Sequence, residues 1–171
     1  MNKNLFLLAL ALTLSCSANQ GSLKHPMDKS ESKTIKLENG LKVYLLSDPD
    51  FNVCAASMSV EVGSYQDPDN RQGMAHFLEH MLFLGTEKYP DVDEYSTYLK
   101  TFGGYSNAYT AGDHTNYQLQ VLPDGFEGSL DRFAQFFISP LFTEEYTSRE
   151  VNAVNSEYQK NIMNDGWRQY R

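Results

Sequence analysis

Cysteine, basic residues and long apolar runs are scarce in this chain of 171 residues. Of its two cysteines, Cys16 lies in an N-terminal leader and Cys54 in a predicted buried strand, so neither a disulfide nor a Cys-rich zinc site is expected. There are 14 Lys and Arg against 22 Asp and Glu, a net charge of −8. This deficit argues against a nucleic-acid partner. The acidity serves either solubility or a mild attraction of basic substrates.

One apolar run stands out, from Leu5 to Leu14, and it is too short to span a bilayer comfortably. With Lys3 before it and small residues after it, segment 1–18 is predicted to be a signal peptide. Cleavage after Ala18 would release the protein, whereas cleavage before Cys16 would make a bacterial lipoprotein anchored to a membrane. The expected location is therefore the periplasm, either free or attached through a lipidated Cys16.

The remainder of the chain has the composition of a globular domain, with 41% hydrophobic and 21% charged residues overall. Residues 19–33 are polar and aperiodic and are predicted to be a flexible spacer, and residues 34–171 to form one domain. Asn39-Gly40 predicts a type I′ hairpin turn. Apolar residues alternate in some segments and recur at helical spacing in others. This pattern predicts an α+β fold, an antiparallel-rich sheet covered by helices on one face. Strands are expected at 34–37, 41–46, 53–62, 105–110 and 116–122, and helices at 73–84, 93–102, 126–137 and 144–164.

The segment His76-Phe77-Leu78-Glu79-His80 has the form H-x-x-E-H. On a helix, His76 and His80 lie one turn apart on the same face and can converge on one ion. Glu79 leans over the same face beside the ion, where it is better placed as a general base than as a co-ligand. The spacing therefore predicts a catalytic zinc site.

Two histidines are too few, because catalytic zinc takes three protein ligands and leaves a fourth position for water. Glu150 and Glu157 are two helical turns apart on one face of the last predicted helix. One of them can ligate zinc while the other supports a ligand, and spacing alone leaves the choice open. A purely structural zinc site is disfavoured, since such sites are usually closed and rich in cysteine.

Several segments together resemble the pitrilysin and insulysin family of zinc peptidases, whose zinc motif is inverted. The resemblance covers residues 34 to 171 and rests on six stretches: His76 to Thr86, Gly104 to Thr110, His114 to Tyr117, Leu130 to Phe137, Glu150 to Glu157, and Asn161 to Asp165.

The resemblance implies a role for each matching residue. His76, His80 and Glu157 would be the zinc ligands, Glu79 the catalytic base, and Glu150 a partner that supports a ligand. Ser106, Asn107 and Ala108 would lie on an edge strand that binds substrate by β-augmentation. The implied activity is zinc-dependent hydrolysis of peptide bonds in short unfolded peptides.

Family members contain four such α+β domains in two halves, and this chain matches part of the first. We therefore expect a fragment that holds the zinc site but lacks the C-terminal half of the peptidase, and so shows little activity alone. The alternative is a non-catalytic structural or peptide-binding subunit of the same family. The intact set of His76, Glu79, His80 and Glu157 argues against it.

Overall fold

The computed structural model describes residues 24–168. The predicted signal peptide, Cys16 and residues 19–23 of the predicted spacer lie outside the described residues. Within the described range, no helix is both long and apolar enough to cross a membrane. The chain divides after Asp50 into two compact units, each considered by itself.

The first unit contains an antiparallel hairpin of strands β1 (Glu31–Lys36) and β2 (Lys42–Ser47). Strand β1 begins at Glu31, three residues before the expected start at Thr34 and inside the segment 19–33. The polar residues at its start pair with the end of β2, as in the partners Glu31 and Ser47. Backbone pairing with β2 thus extends the strand beyond the alternating pattern seen in the sequence.

The hairpin turn differs from the predicted type I′ turn. Gly40 N donates to Leu37 O at 2.9 Å, and Leu37 N donates to Leu41 O at 2.8 Å. Gly40 has a φ of 91°. These bonds define a three-residue loop in which a four-residue turn is followed by a left-handed residue. The Asn-Gly pair therefore supplies the left-handed position of a longer loop.

The second unit is built on a three-stranded antiparallel sheet in the order β3 (Cys54–Val60), β5 (Thr115–Val121), β4 (Tyr105–Thr110). Alternate residues of β5 are buried, among them Tyr117, Leu119 and Val121, and those between them are more exposed. One face of the sheet thus carries the core and the other faces solvent. The predicted α+β class, with helices on one face of an antiparallel sheet, is confirmed.

The helices of this unit are α1 (Met74–Met81), α2 (Glu94–Thr101), α3 (Pro123–Gln135), α4 (Glu144–Asn161) and a short α5 (Asp165–Arg168). Helix α1 ends three residues before the predicted Leu84, because residues 82–84 form tighter turns that lead into Gly85, with a φ of 93°. Helix α3 begins at Pro123 rather than at the predicted Phe126. Proline fits the first turn of a helix because the N–H groups of that turn have no partner within the helix, so the N–H that proline lacks is not missed.

A continuous apolar core lies between the sheet and the helices. It includes Leu82, Leu99, Leu119, Val121, Phe133 and Phe136. Helix α1 packs against β4, β5 and α4, and α2 packs against β4 and α3. The packing therefore fixes α1 between the sheet edge at β4 and the long helix α4.

Candidate metal centre

Helix α1 brings the two histidines of the H-x-x-E-H segment together. The Nε2 atoms of His76 and His80 are 3.2 Å apart. Their rings meet edge to face, with centroids 4.7 Å apart. Met81 is 1% exposed and anchors the helix in the core, while both imidazoles remain partly open to solvent. The predicted convergence of these side chains is therefore observed.

Helix α4 carries the two glutamates to the same place. Thr143 begins the helix and its side chain accepts a hydrogen bond from Tyr146 N, with two acidic residues in the first turn. Glu157 Oε2 lies 3.6 Å from His76 Nε2 and 3.9 Å from His80 Nε2. Glu150 lies two turns earlier on the same face, as the spacing predicts. Of the two glutamates, Glu157 is therefore the one whose carboxylate lies near both Nε2 atoms.

The donor set of His76, His80 and Glu157 fits a zinc ion. One ligand atom from each lies within 4.8 Å of the other two. Ligand bonds of 2.0–2.1 Å in a tetrahedron place donor atoms about 3.3 Å apart, close to the three separations observed. Two imidazoles and one carboxylate are also ligand types that zinc accepts in catalytic sites. A fourth tetrahedral position would remain for water.

Glu150 contacts His80 from the neighbouring helix α4. The Nδ1 atom of His80 is 3.1 Å from Glu150 Oε2. A hydrogen bond from Nδ1 to this carboxylate would leave the lone pair of Nε2 directed toward His76 and Glu157. Glu150 is the more buried of the two glutamates, with a side chain 13% exposed against 52% for Glu157. This is the carboxylate–histidine arrangement that fixes the tautomer of a metal ligand.

Glu79 is buried next to the ligands, at 8% exposure. Its Oε2 accepts a hydrogen bond of 2.6 Å from the hydroxyl of Thr110, at the end of β4. The hydroxyl of Thr115 lies 3.4 Å from that of Thr110. Because the Thr115 hydroxyl donates to Val62 O at 2.8 Å, the Thr115 proton is not available to Thr110. One oxygen of the carboxylate is thereby held by the sheet, and Glu79 stands apart from the three converging ligand atoms.

Tyr117 lies in the core on the Glu79 side of the sheet. Burial raises the pKa of Tyr117 to about 12, and the nearby negative charge of Glu79 adds to the rise. The phenol therefore stays neutral at physiological pH. Glu79 is therefore bordered by neutral core side chains on this side.

The predicted substrate residues Ser106, Asn107 and Ala108 lie on β4, which is an edge of the three-stranded sheet. Side chains alternate along the strand: Asn107 is exposed, whereas Ser106 and Ala108 are half-buried toward the helices. The bond from Ala111 N to His114 O, at 2.8 Å, closes the hairpin between β4 and β5. By antiparallel alternation, Tyr105, Asn107 and Tyr109 then bond β5, while the N–H and C=O groups of Ser106, Ala108 and Thr110 point to the open edge.

Sequence reasoning missed Thr110 as a partner of Glu79. Thr110 belongs to one of the stretches that carry the family resemblance, but nothing in its spacing relates it to Glu79, 31 residues earlier. The contact arises because α1 crosses the end of β4. Only a prediction of that packing would have found it.

Comparisons with known proteins agree with this geometry. The sequence model described as insulinase, peptidase family M16, matches residues 42–171. The insulin-degrading enzyme of Homo sapiens is 53% identical over 148 residues, which are 86% of this chain and 14% of that enzyme. The peroxisomal insulin-degrading enzyme-like 1 of Arabidopsis thaliana is 56% identical over 146 residues, 85% of this chain and 15% of the relative.

A solved structure is similar over nearly the same region. The crystal structure of pitrilysin superposes with a TM-score of 0.77 and 41% sequence identity, covering 84% of this chain and 15% of that chain. The chain thus spans about one seventh of the length of the relatives that it matches.

Proposed function

We propose that this chain, which belongs to the insulinase family of peptidases, peptidase family M16, supplies the zinc site of a metalloendopeptidase. The observation that supports this most directly is the convergence of His76, His80 and Glu157 on one point. In this proposal these three side chains hold one Zn²⁺. The similar insulin-degrading enzymes suggest peptide substrates.

Each residue of the site has a distinct task in this mechanism. When bound, zinc would supply Lewis-acid polarisation of the scissile carbonyl and of a water molecule. Glu79 accepts the proton of the attacking water and returns it to the leaving amine. Thr110 holds one oxygen of that carboxylate, which leaves the other to exchange the proton. Glu150 keeps His80 in the tautomer that presents Nε2.

The open edge of β4 is the proposed substrate site. A peptide added as a further strand would exchange backbone hydrogen bonds with Ser106, Ala108 and Thr110, whose N–H and C=O groups point to that edge. Asn107 would contribute its exposed side chain rather than its backbone. Because Thr110 also bonds Glu79, a peptide on this edge lies beside the base.

The test replaces Glu79 by Gln in the full-length peptidase that contains this sequence. We expect zinc content to stay at one per chain, while cleavage of a quenched fluorescent peptide falls at least about 1000-fold, since a general base commonly contributes 10²–10⁴-fold. The matched control is Glu127→Gln, an exposed glutamate on α3. Activity that survives the Glu79→Gln change would rule out this residue as the base. An unsubstituted full-length protein that binds zinc but cleaves no peptide would instead favour the non-catalytic alternative.

Export to the periplasm is part of the proposal, with Cys16 as the residue that lipidation would modify. Its support is the residue pattern of segment 1–18 alone. Mass spectrometry of the mature N-terminus is the test. An N-terminal Asn19 would indicate ordinary signal cleavage, a diacylglyceryl Cys16 would indicate a lipoprotein, and a retained Met1 would contradict export by either route.

A further inference from the structure

The helix that carries the histidines has an unusual N-terminus. Gly73 precedes α1 in the left-handed conformation, with a φ of 89°, and has no side chain with which to cap the helix. The carboxylate of Asp67, from the preceding loop, takes that place. Its Oδ2 accepts from Gly73 N at 2.7 Å and its Oδ1 accepts from Ala75 N at 2.8 Å. Both oxygens of one side chain thus satisfy first-turn donors that have no partner within the helix.

This cap matters more than an average cap because α1 is short. The helix has eight residues, below the length at which an isolated helix is stable in water. His76 follows Ala75 directly and lies in the first turn, which is the part that frays first. Fraying there would move His76 away from His80 and Glu157, which lie deeper in α1 and on α4.

Asp67 is itself held by the hairpin of β4 and β5. It follows a short 3₁₀ turn, Ser64–Gln66. Within that turn, Ser64 N donates to Ala111 O at 2.9 Å and Tyr65 N donates to Gly112 O at 2.8 Å. Ala111 and Gly112 form the loop that ends β4. The carboxylate therefore links the end of the proposed substrate strand to the first turn of the histidine helix.

We propose that Asp67 is a positioning residue of the metal centre: by bridging Gly73 N and Ala75 N, it keeps His76 aligned with His80 and Glu157. This inference rests on the proposed function as a zinc site. Its physical consequence is on zinc affinity, because an observed dissociation constant rises in proportion as the binding-competent conformation becomes less populated. An ordinary cap would instead change only global stability and leave the affinity of the folded chain unchanged.

The experiment measures the zinc dissociation constant of the purified 171-residue protein by competition with a chelating dye. Asp67→Ala removes both acceptors, and we expect about a 10-fold loss of affinity, as for partners that orient metal ligands. Asp67→Asn keeps one acceptor oxygen, and we expect about a 5-fold loss. Amide hydrogen exchange at Gly73 and Ala75 should accelerate in both variants.

Two controls separate positioning from stability. Asp69→Asn changes an exposed carboxylate two residues away. Asp131→Asn removes the negative charge of the carboxylate that accepts from Lys88 Nζ and the Tyr89 hydroxyl, and so weakens a contact far from α1 in sequence without touching the cap. Both should bind zinc within twofold of the unsubstituted chain.

The outcomes are distinguishable. If the unsubstituted chain binds zinc and folded Asp67→Asn binds it equally well, the positioning role is wrong and the zinc site stands. An Asp131→Asn loss as large as that of Asp67→Asn also overturns it, because affinity would then follow stability. If the unsubstituted chain binds no zinc, the proposed function fails and this inference fails with it.

Discussion

A single hydroxyl proton decides how the carboxylate of Glu79 is held. Thr110 lies 3.4 Å from the Thr115 hydroxyl and 2.6 Å from Glu79 Oε2. Since Thr115 gives its own proton to Val62 O, Thr110 donates its one proton to Glu79 over the shorter bond. The arrangement fixes the orientation of the carboxylate without adding a charge to the site.

The first prediction at this scale is Thr110→Val, which keeps the shape of the side chain and removes its hydroxyl. In the full-length peptidase we expect kcat for peptide cleavage to fall about 10-fold, because a misaligned base loses part of its contribution. KM should change little, since the backbone of Thr110 at the strand edge is kept. Thr110→Ser should retain most of the activity. Equal losses in the Val and Ser variants would contradict the hydroxyl's role.

The second prediction separates the two glutamates of α4. Glu157→Gln removes a ligand and should weaken zinc binding by at least about 100-fold, whereas Glu150→Gln should cost about 10-fold, as expected for a residue that orients a ligand. Glu145→Gln, at an exposed site on the same helix, is the control. The dye competition assay measures all three. A larger effect from Glu150 than from Glu157 would reverse the assignment.

Residue spacing predicted part of this site and missed the rest for physical reasons. His76 and His80 share one helix, so their convergence follows from helix geometry alone. Glu150 and Glu157 also share a face, but which of them lies near both Nε2 atoms depends on how α4 packs on α1, and spacing could not decide it. Asp67 and Thr110 act through contacts between elements distant in sequence, and no local pattern indicates them.

At the scale of elements, successive residues of strand β4 direct their backbone N–H and C=O groups to opposite sides of the strand. The N–H groups of Asn107 and Ala108 are neighbours in sequence, but one bonds Gln118 on β5 and the other points to the open edge. Proline removes an N–H group with little other change at an edge strand. The two positions therefore form a matched pair.

We predict opposite effects for the two prolines. Ala108→Pro should leave the melting temperature nearly unchanged and raise KM for peptides about 10-fold, because a backbone bond to substrate is lost. Asn107→Pro should lower stability by at least about 1 kcal/mol, because it breaks a sheet bond. Thermal unfolding and steady-state kinetics measure both. If Ala108→Pro leaves KM unchanged, the open edge of β4 is not the substrate site.

Element boundaries show where local signals stop being sufficient. Strand β4 was predicted at its observed bounds, since alternation and a following turn mark both ends. Strand β1 was predicted too short, because Glu31 and its neighbours are strand residues only through pairing with β2. The loop at Asn39 and Gly40 was predicted one residue too short, because Asn-Gly is compatible with more than one hairpin loop.

At the scale of the whole molecule, the proposed zinc site joins two helices that the apolar core holds to different extents. Helix α1 is anchored by Met81, at 1% exposure, whereas α4 has no buried residue along its 18 residues. Within the described part of the second unit, α4 packs on α1 beside the proposed ligands. A metal ion held by His76, His80 and Glu157 would therefore act as a cross-link between a fixed helix and a weakly packed one.

The last prediction follows from this cross-link and concerns the 171-residue chain by itself. Zinc at a free concentration one hundred times its dissociation constant should stabilise the chain by about 2.7 kcal/mol, or raise the melting temperature by about 5 to 10 °C. Magnesium should give no such shift, since it prefers six oxygen ligands. Glu157→Gln should abolish the zinc shift, whereas Glu145→Gln should preserve it.

Peptide cleavage by the same zinc-loaded chain should be small or absent, because it spans only about one seventh of the peptidases that it matches. A quenched peptide assay on the sample used for the melting curves tests this directly. A zinc shift without cleavage would show that residues 1–171 suffice for the metal site and not for hydrolysis. Cleavage that requires zinc and disappears with Glu79→Gln would show instead that this part of the fold contains the complete reaction centre.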